Sequence, residues 1–165
     1  WQRDLAARIL HTIRASGVDA PSIVIEMAES AATSDLERTR HILEELHEQG
    51  VGLAIDDFGT GYSSLSRLKD LPVDILKIDR PFLTGLPDDH TAAATVRAIV
   101  QLAEGLGMRP LAEGIEQEPQ RTYLLEHGCA IGQGFLFAKA LPAAQLSAWL
   151  RPGALLSPGI LGSPG

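Results

Sequence analysis

Short apolar runs alternate with amphipathic segments along almost the whole chain, and this alternation limits the possible folds more than any other feature. Residues 2–16 place Leu5, Ile9, Leu10 and Ile13 on one face of a helical period, with Gly17 as the stop. "SIVIE" (22–26) reads as a strand. "SDLE" (34–37) has the spacing of a capping box, Ser34 with Glu37, opening a helix that runs to Gly50. "GLAI" is the second strand, "DILKI" the third, "MRPLA" a weaker fourth, and the segment around "CAIGQG" a fifth. Helices over about 91–106 and 118–127 separate the later strands. This order predicts parallel βαβ units, an α/β fold whose sheet is covered on both faces. The last fifteen residues, "RPGALLSPGILGSPG", predict a loose tail (151–165) after a domain over 1–150.

The chain has 165 residues, 45% hydrophobic and 21% charged, enough for a globular domain with its own core. No run of eighteen apolar residues is present to span a membrane. The chain opens on Trp1 and shows no signal-peptide pattern, which predicts a piece of a longer polypeptide. Cys129 is the single cysteine, which excludes an internal disulfide or a thiolate zinc site and makes a reducing, cytoplasmic setting the expectation. The formal charge of −7 argues against a broad surface for DNA, RNA or anionic lipid. A phosphate-bearing substrate would need cations supplied locally.

Polar residues fall where each apolar run gives out. Glu26 closes the first, Asp56 and Asp57 the second, Lys77 and Asp79 the third, and Glu113 the fourth, while Gln133 follows the fifth. The carboxyl edge of a parallel sheet is where α/β folds build their sites. A single acid there is ordinarily a solvated loop residue, but five successive strands repeat the placement. Carboxylates gathered on one rim repel and raise one another's pKa, and divalent cations relieve this. Hard oxygen ligands favour magnesium or manganese, with calcium as a non-productive substitute. The histidines at 11, 41, 47, 90 and 127 lie in or beside helices, away from the strand ends. Two metals can activate a water and clamp a phosphoryl displacement. Lys77 supplies a fixed positive charge for that chemistry or, on the plainer reading, neutralises the neighbouring acids.

"DFG" (57–59) also occurs in protein kinases, but here no histidine-arginine-aspartate loop precedes it and no alanine-proline-glutamate triplet follows. "GTG" lacks the third glycine of a dinucleotide loop, so Gly59 and Gly61 read as turn residues beside the site.

At several motifs in order the chain resembles the EAL domain, the cyclic di-GMP phosphodiesterase module of bacterial signal transduction. "LAIDDFGTGYSSLSRLKDLPVDILKIDRPFL" resembles its centre, "IEMAES" its Glu-x-Thr-Glu segment, "LAEGIEQEPQ" its alanine-glutamate-glycine stretch and "GQGFLFAKALP" its closing glutamine-glycine segment. The family fold is a (β/α)8 TIM-type barrel of about 250 residues, so the resemblance implies a partial barrel covering about strands 4 to 8. The Glu-Ala-Leu signature and a strand-three asparagine have no counterpart in these residues.

The resemblance implies an enzyme that hydrolyses cyclic di-GMP to linear pGpG with two Mg2+ or Mn2+ ions. Glu26, Asp56, Asp57 and Glu113 match metal ligands, with Asp56 bridging both ions. Glu113 matches a residue described either as general base or as metal ligand, and Lys77 one that contacts the attacking water. Asp79 and Gln133 match substrate-side residues. Glu29 matches the acid that pins the loop Phe58–Ser64, and Glu116 a supporting acid. One departure is Ala28, where the family usually has threonine. The resemblance also implies a homodimer and an upstream sensory or GGDEF-type domain, and leaves open a membrane tether elsewhere. The alternative is a module that binds cyclic di-GMP, or a partner protein, without catalysis.

Overall fold

Helix α1 (Leu5–Ser16) stops where expected: Gly17 takes the left-handed φ of 72° and donates its N–H to the Arg14 carbonyl. The computed structural model describes residues 4–56, 58 and 68–149. They belong to two compact units, Trp1–Lys77 with Leu106–Met108, and Ile78–Gly105 with Arg109–Gly165.

In the first unit α1 buries Ala6, Leu10 and Ile13 and packs on α3 (Leu36–Glu48). Strand β1 (Val24–Ala28) leads directly into the short helix α2 (Glu29–Ser34), which apolar periodicity does not reveal. Six residues are too few to show a helical stripe. The expected Ser34–Glu37 box is corrected as well. Asp35 is the N-cap of α3 and accepts from Arg38 N at 3.4 Å, because Ser34 is still the last residue of α2.

Strands β2 (Gly52–Asp56) and β3 (Ile75–Ile78) run parallel to β1, in the register Glu26↔Ala54, Ala28↔Asp56 and Ala54↔Ile75. Leu53, Ala54 and Ile55 are all buried, so β2 is covered on both faces as a parallel sheet requires. Val24 on β1 remains 46% exposed. Near the start of β2, Asp74 brackets Leu53. Its N–H donates to the Leu53 carbonyl at 3.0 Å, and its carboxylate accepts from Leu53 N at 2.9 Å and meets His47 Nε2 at 3.2 Å.

The second unit opens with α4 (Arg80–Leu83), another helix too short to be read from period, followed by α5 (His90–Gly105). Helix α5 packs its buried stripe of Ala93, Val96, Ile99, Val100 and Ala103 against α4 and β4 (Arg109–Glu113). Helix α6 (Glu118–Glu126) begins with a true capping box of Gln117 and Gln120. Tyr123 on α6 donates to the Ala93 carbonyl at 3.0 Å and accepts from Arg97 at 2.6 Å, tying α6 to α5. Strand β5 (Ile131–Gln133) pairs parallel with β4, with Glu113 opposite Gln133. Helix α7 (Ala143–Trp149) follows, and the expected tail over 151–165 lies outside the described residues.

Candidate functional site

Register decides which polar side chains meet. Glu26, Asp56 and Lys77 share one face of the first unit's sheet, since Glu26 lies opposite Ala54 and Asp56 falls opposite Lys77 when the Ala54↔Ile75 register is continued. Lys77 Nζ lies 2.6 Å from Glu26 Oε2 and 3.1 Å from Asp56 Oδ1. The lysine side chain is 4% exposed, against 48% for Glu26 and 32% for Asp56. A buried ammonium is tolerable only with such partners. One expectation needs correcting here: Glu26 and Lys77 sit within their strands, and only Asp56 ends its own. Glu26 lies two residues before the end of β1 and Lys77 one before the end of β3, and both are long enough for the Lys77 ammonium to meet Glu26 and the strand-end Asp56 together.

In the second unit Glu113 ends β4, and Gln133, its register partner, donates from Nε2 to Glu113 Oε1 at 2.7 Å. Asp79 follows β3 and caps α4, its Oδ1 accepting from Arg80 N at 2.8 Å. Glu116 is salt-bridged to Arg80 at 2.9 Å. These side chains line a cavity of about 670 Å3 together with Phe135, Leu141 and Leu146. Lys139 Nζ sits 5.8 Å from the Phe135 ring centroid, a cation–π contact.

Glu29, the expected loop anchor, is buried at the first position of α2, where its charge suits the helix terminus. Its expected partner segment 59–64 and the expected ligand Asp57 lie outside the described residues. Ala28 is the N-cap of α2 and has no side chain to accept from the helix N–H groups. Sequence reasoning missed Arg80, Phe135 and Lys139; the signal for Arg80 was a cation immediately after a strand-end acid, in "DRPF". Cys129 plays no part: burial pushes its thiol from 9.0 up to about 11.

The donor set suits a hard divalent cation. Glu26 and Asp56 already direct carboxylate oxygens at one positive centre, and neither cysteine nor histidine is near them among the described contacts. Among the described residues, however, no three His, Cys, Asp or Glu side chains gather closely enough to hold an ion by themselves.

Residues 2–140 match the EAL domain. The chain belongs to that family. It is 40% identical over 147 residues to the cyclic di-GMP phosphodiesterase NbdA of Pseudomonas aeruginosa, covering 89% of this chain and 19% of that protein. Over 126 residues it is 48% identical to the bifunctional diguanylate cyclase/cyclic di-GMP phosphodiesterase MucR of the same organism, covering 76% and 18%. The chain thus spans about a fifth of these curated relatives. Among solved structures, the EAL domain of Mycobacterium smegmatis DcpA superposes with a TM-score of 0.84 at 39% identity, over 98% of this chain and 70% of that one. A cyclic di-GMP complex of the PaMucR phosphodiesterase gives 0.82 at 42%, over 88% and 59%. Klebsiella pneumoniae BlrP1 with manganese and cyclic di-GMP gives 0.75 at 32%, over 84% and 35%. The fold is accordingly α/β, a partial (β/α)8 barrel of the EAL type.

Proposed function

We propose that the EAL domain containing this chain hydrolyses cyclic di-GMP to linear pGpG, with two Mg2+ or Mn2+ ions as cofactors. The observation that carries this reading is the cluster of Glu26 and Asp56 on the buried Lys77 ammonium, at 2.6 and 3.1 Å. A sheet face that spends two carboxylates and a buried lysine on one point is arranged for charge chemistry rather than packing. Glu26, Asp56, Asp57 and Glu113 are the residues that would hold the ions. When bound, such ions lower the pKa of a water and offset phosphoryl charge.

The chain's own groups divide the remaining work. Lys77 presents a fixed ammonium to an attacking water or a developing phosphoryl oxygen. Glu113 receives or holds a proton, its carboxylate oriented by the Gln133 amide at 2.7 Å. Asp79 and Gln133 face the cavity in which a guanine nucleotide would lie. The NbdA and MucR relatives, named as phosphodiesterases, support the assignment. We place the protein in the bacterial cytoplasm as a homodimer under an upstream sensory or diguanylate cyclase domain; no helix among the described residues is long and apolar enough to cross a membrane. The test is hydrolysis of cyclic di-GMP by the full-length protein with and without Glu113→Ala. Loss of turnover in the variant is expected, and undiminished turnover defeats the assignment.

A second reading, a module that binds cyclic di-GMP without cutting it, draws on one observation: Ala28 leaves α2 without a side-chain cap where Glu29 begins the helix. A full-length protein that binds the dinucleotide but shows no turnover with either metal would favour it.

A further inference from the structure

We infer that Arg80 is a positioning residue for Glu113, acting through the turn that follows β4. The inference rests on the proposed role of Glu113 and concerns how that carboxylate is held.

Strand β4 ends at Glu113, and the next residue, Gly114, turns the chain at a φ of +71°. A Cβ at position 114 would lie 2.7 Å from Arg80 Cβ and Cγ and 3.0 Å from Cδ. The arginine stem therefore lies flat on the backbone of the turn, and glycine is what permits it. Beyond the turn, the guanidinium Nη2 reaches Glu116 Oε1 at 2.9 Å. Farther on, the buried Gln120 accepts from Glu116 N at 2.9 Å and Gln117 N at 3.0 Å, and donates to the Leu83 carbonyl at 3.0 Å. The two ends of α4, Arg80 and Leu83, thus fasten residues 114–120 at two points. On the other side the turn is held by β5, where Ile115 N donates to the Gln133 carbonyl at 3.0 Å and Gln133 Nε2 donates to Glu113 itself. Glu113 stands between these fastenings.

Stability is a poor explanation for the Arg80–Glu116 pair. The arginine side chain is 63% exposed and its partner 37%, and such pairs contribute little to folding. A stem packed on a glycine turn beside an acid/base carboxylate bears on geometry instead, and misplacing such a group by about 1 Å can cost on the order of 100-fold in rate.

The experiment uses the full-length protein and the variants Arg80→Gln, Glu116→Ala and the double variant. Expected is a fall in kcat of about tenfold or more in each single variant, no further fall in the double, and KM for cyclic di-GMP within about twofold of the starting protein. Gly114→Ala, which pushes the stem aside with Arg80 still present, should reproduce the loss. A raised KM with unchanged kcat would instead make Arg80 a direct substrate contact and overturn the inference, as would unchanged kinetics. Absence of turnover in the starting protein sinks the proposed function alone. The brace is then read from hydrogen exchange at the Ile115 amide, which donates to the Gln133 carbonyl beside Glu113. Faster exchange there in Arg80→Gln and in Glu116→Ala is expected, and unchanged exchange overturns the inference.

Discussion

Lys77 is the residue whose surroundings say most about the molecule. Its side chain is nearly fully buried, and the partners that make this tolerable, Glu26 and Asp56, keep part of their own surface in water. Removing the ammonium leaves two carboxylates that can rehydrate, so Lys77→Met should cost only about 1–3 kcal/mol, less than breaking a fully buried pair. On the proposed function, the same change should reduce cyclic di-GMP hydrolysis by on the order of 100-fold, since the fixed charge proposed for the reacting centre is lost. Urea titration and steady-state kinetics on one preparation check both figures. Cys129 gives a prediction of opposite character. Its folded pKa is about 11 against 9.0 for the free thiol, so between these values the folded state keeps a proton that the unfolded state has lost. Stability should therefore fall as pH rises from about 9 to about 11, by roughly 2–3 kcal/mol in total. Urea midpoints for wild type and Cys129→Ala across that range provide the test: only wild type should carry this component.

Among the elements, strand β2 shows how a single side chain fixes the start of a strand. Asp74 satisfies both Leu53 backbone groups, one through its own N–H and one through its carboxylate. Asp74→Ala leaves the Leu53 N–H in want of a partner and should cost about 1–3 kcal/mol. Hydrogen exchange at the Leu53 amide reports the same event locally, since protection there should drop before protection of β3.

At the scale of the molecule, the partial barrel leaves polar and apolar groups of β1 near solvent: Glu26 is half exposed and Val24 is 46% exposed. Exposed apolar positions on a strand invite pairing with another chain. The isolated 165-residue chain is expected to self-associate and to lack hydrolytic activity, and sedimentation velocity beside an activity assay checks both. A monomeric, active chain would contradict the expectation. In the full-length protein, stripping divalent ions with a chelator should abolish turnover, and Mg2+ or Mn2+ should restore it.

The elements that sequence alone determined are those whose signal is local. Apolar periodicity marks α1, α3, α5 and α6, and the β-rich runs mark all five strands, because a buried face must repeat at the period of its own backbone. Helices α2 and α4 escaped, being too short for a period, and the cap of α3 moved to Asp35 once α2 occupied Ser34. The candidate acids were legible too, as polar residues near the ends of apolar runs. Their partners were not. That Lys77 takes both Glu26 and Asp56, that Gln133 orients Glu113, and that Arg80 lies on Gly114 depend on strand register and on turns brought together from distant parts of the chain. A side chain's type is written locally, whereas the charge it meets is set by which strand pairs beside it and in what register, and only the tertiary structure decides that.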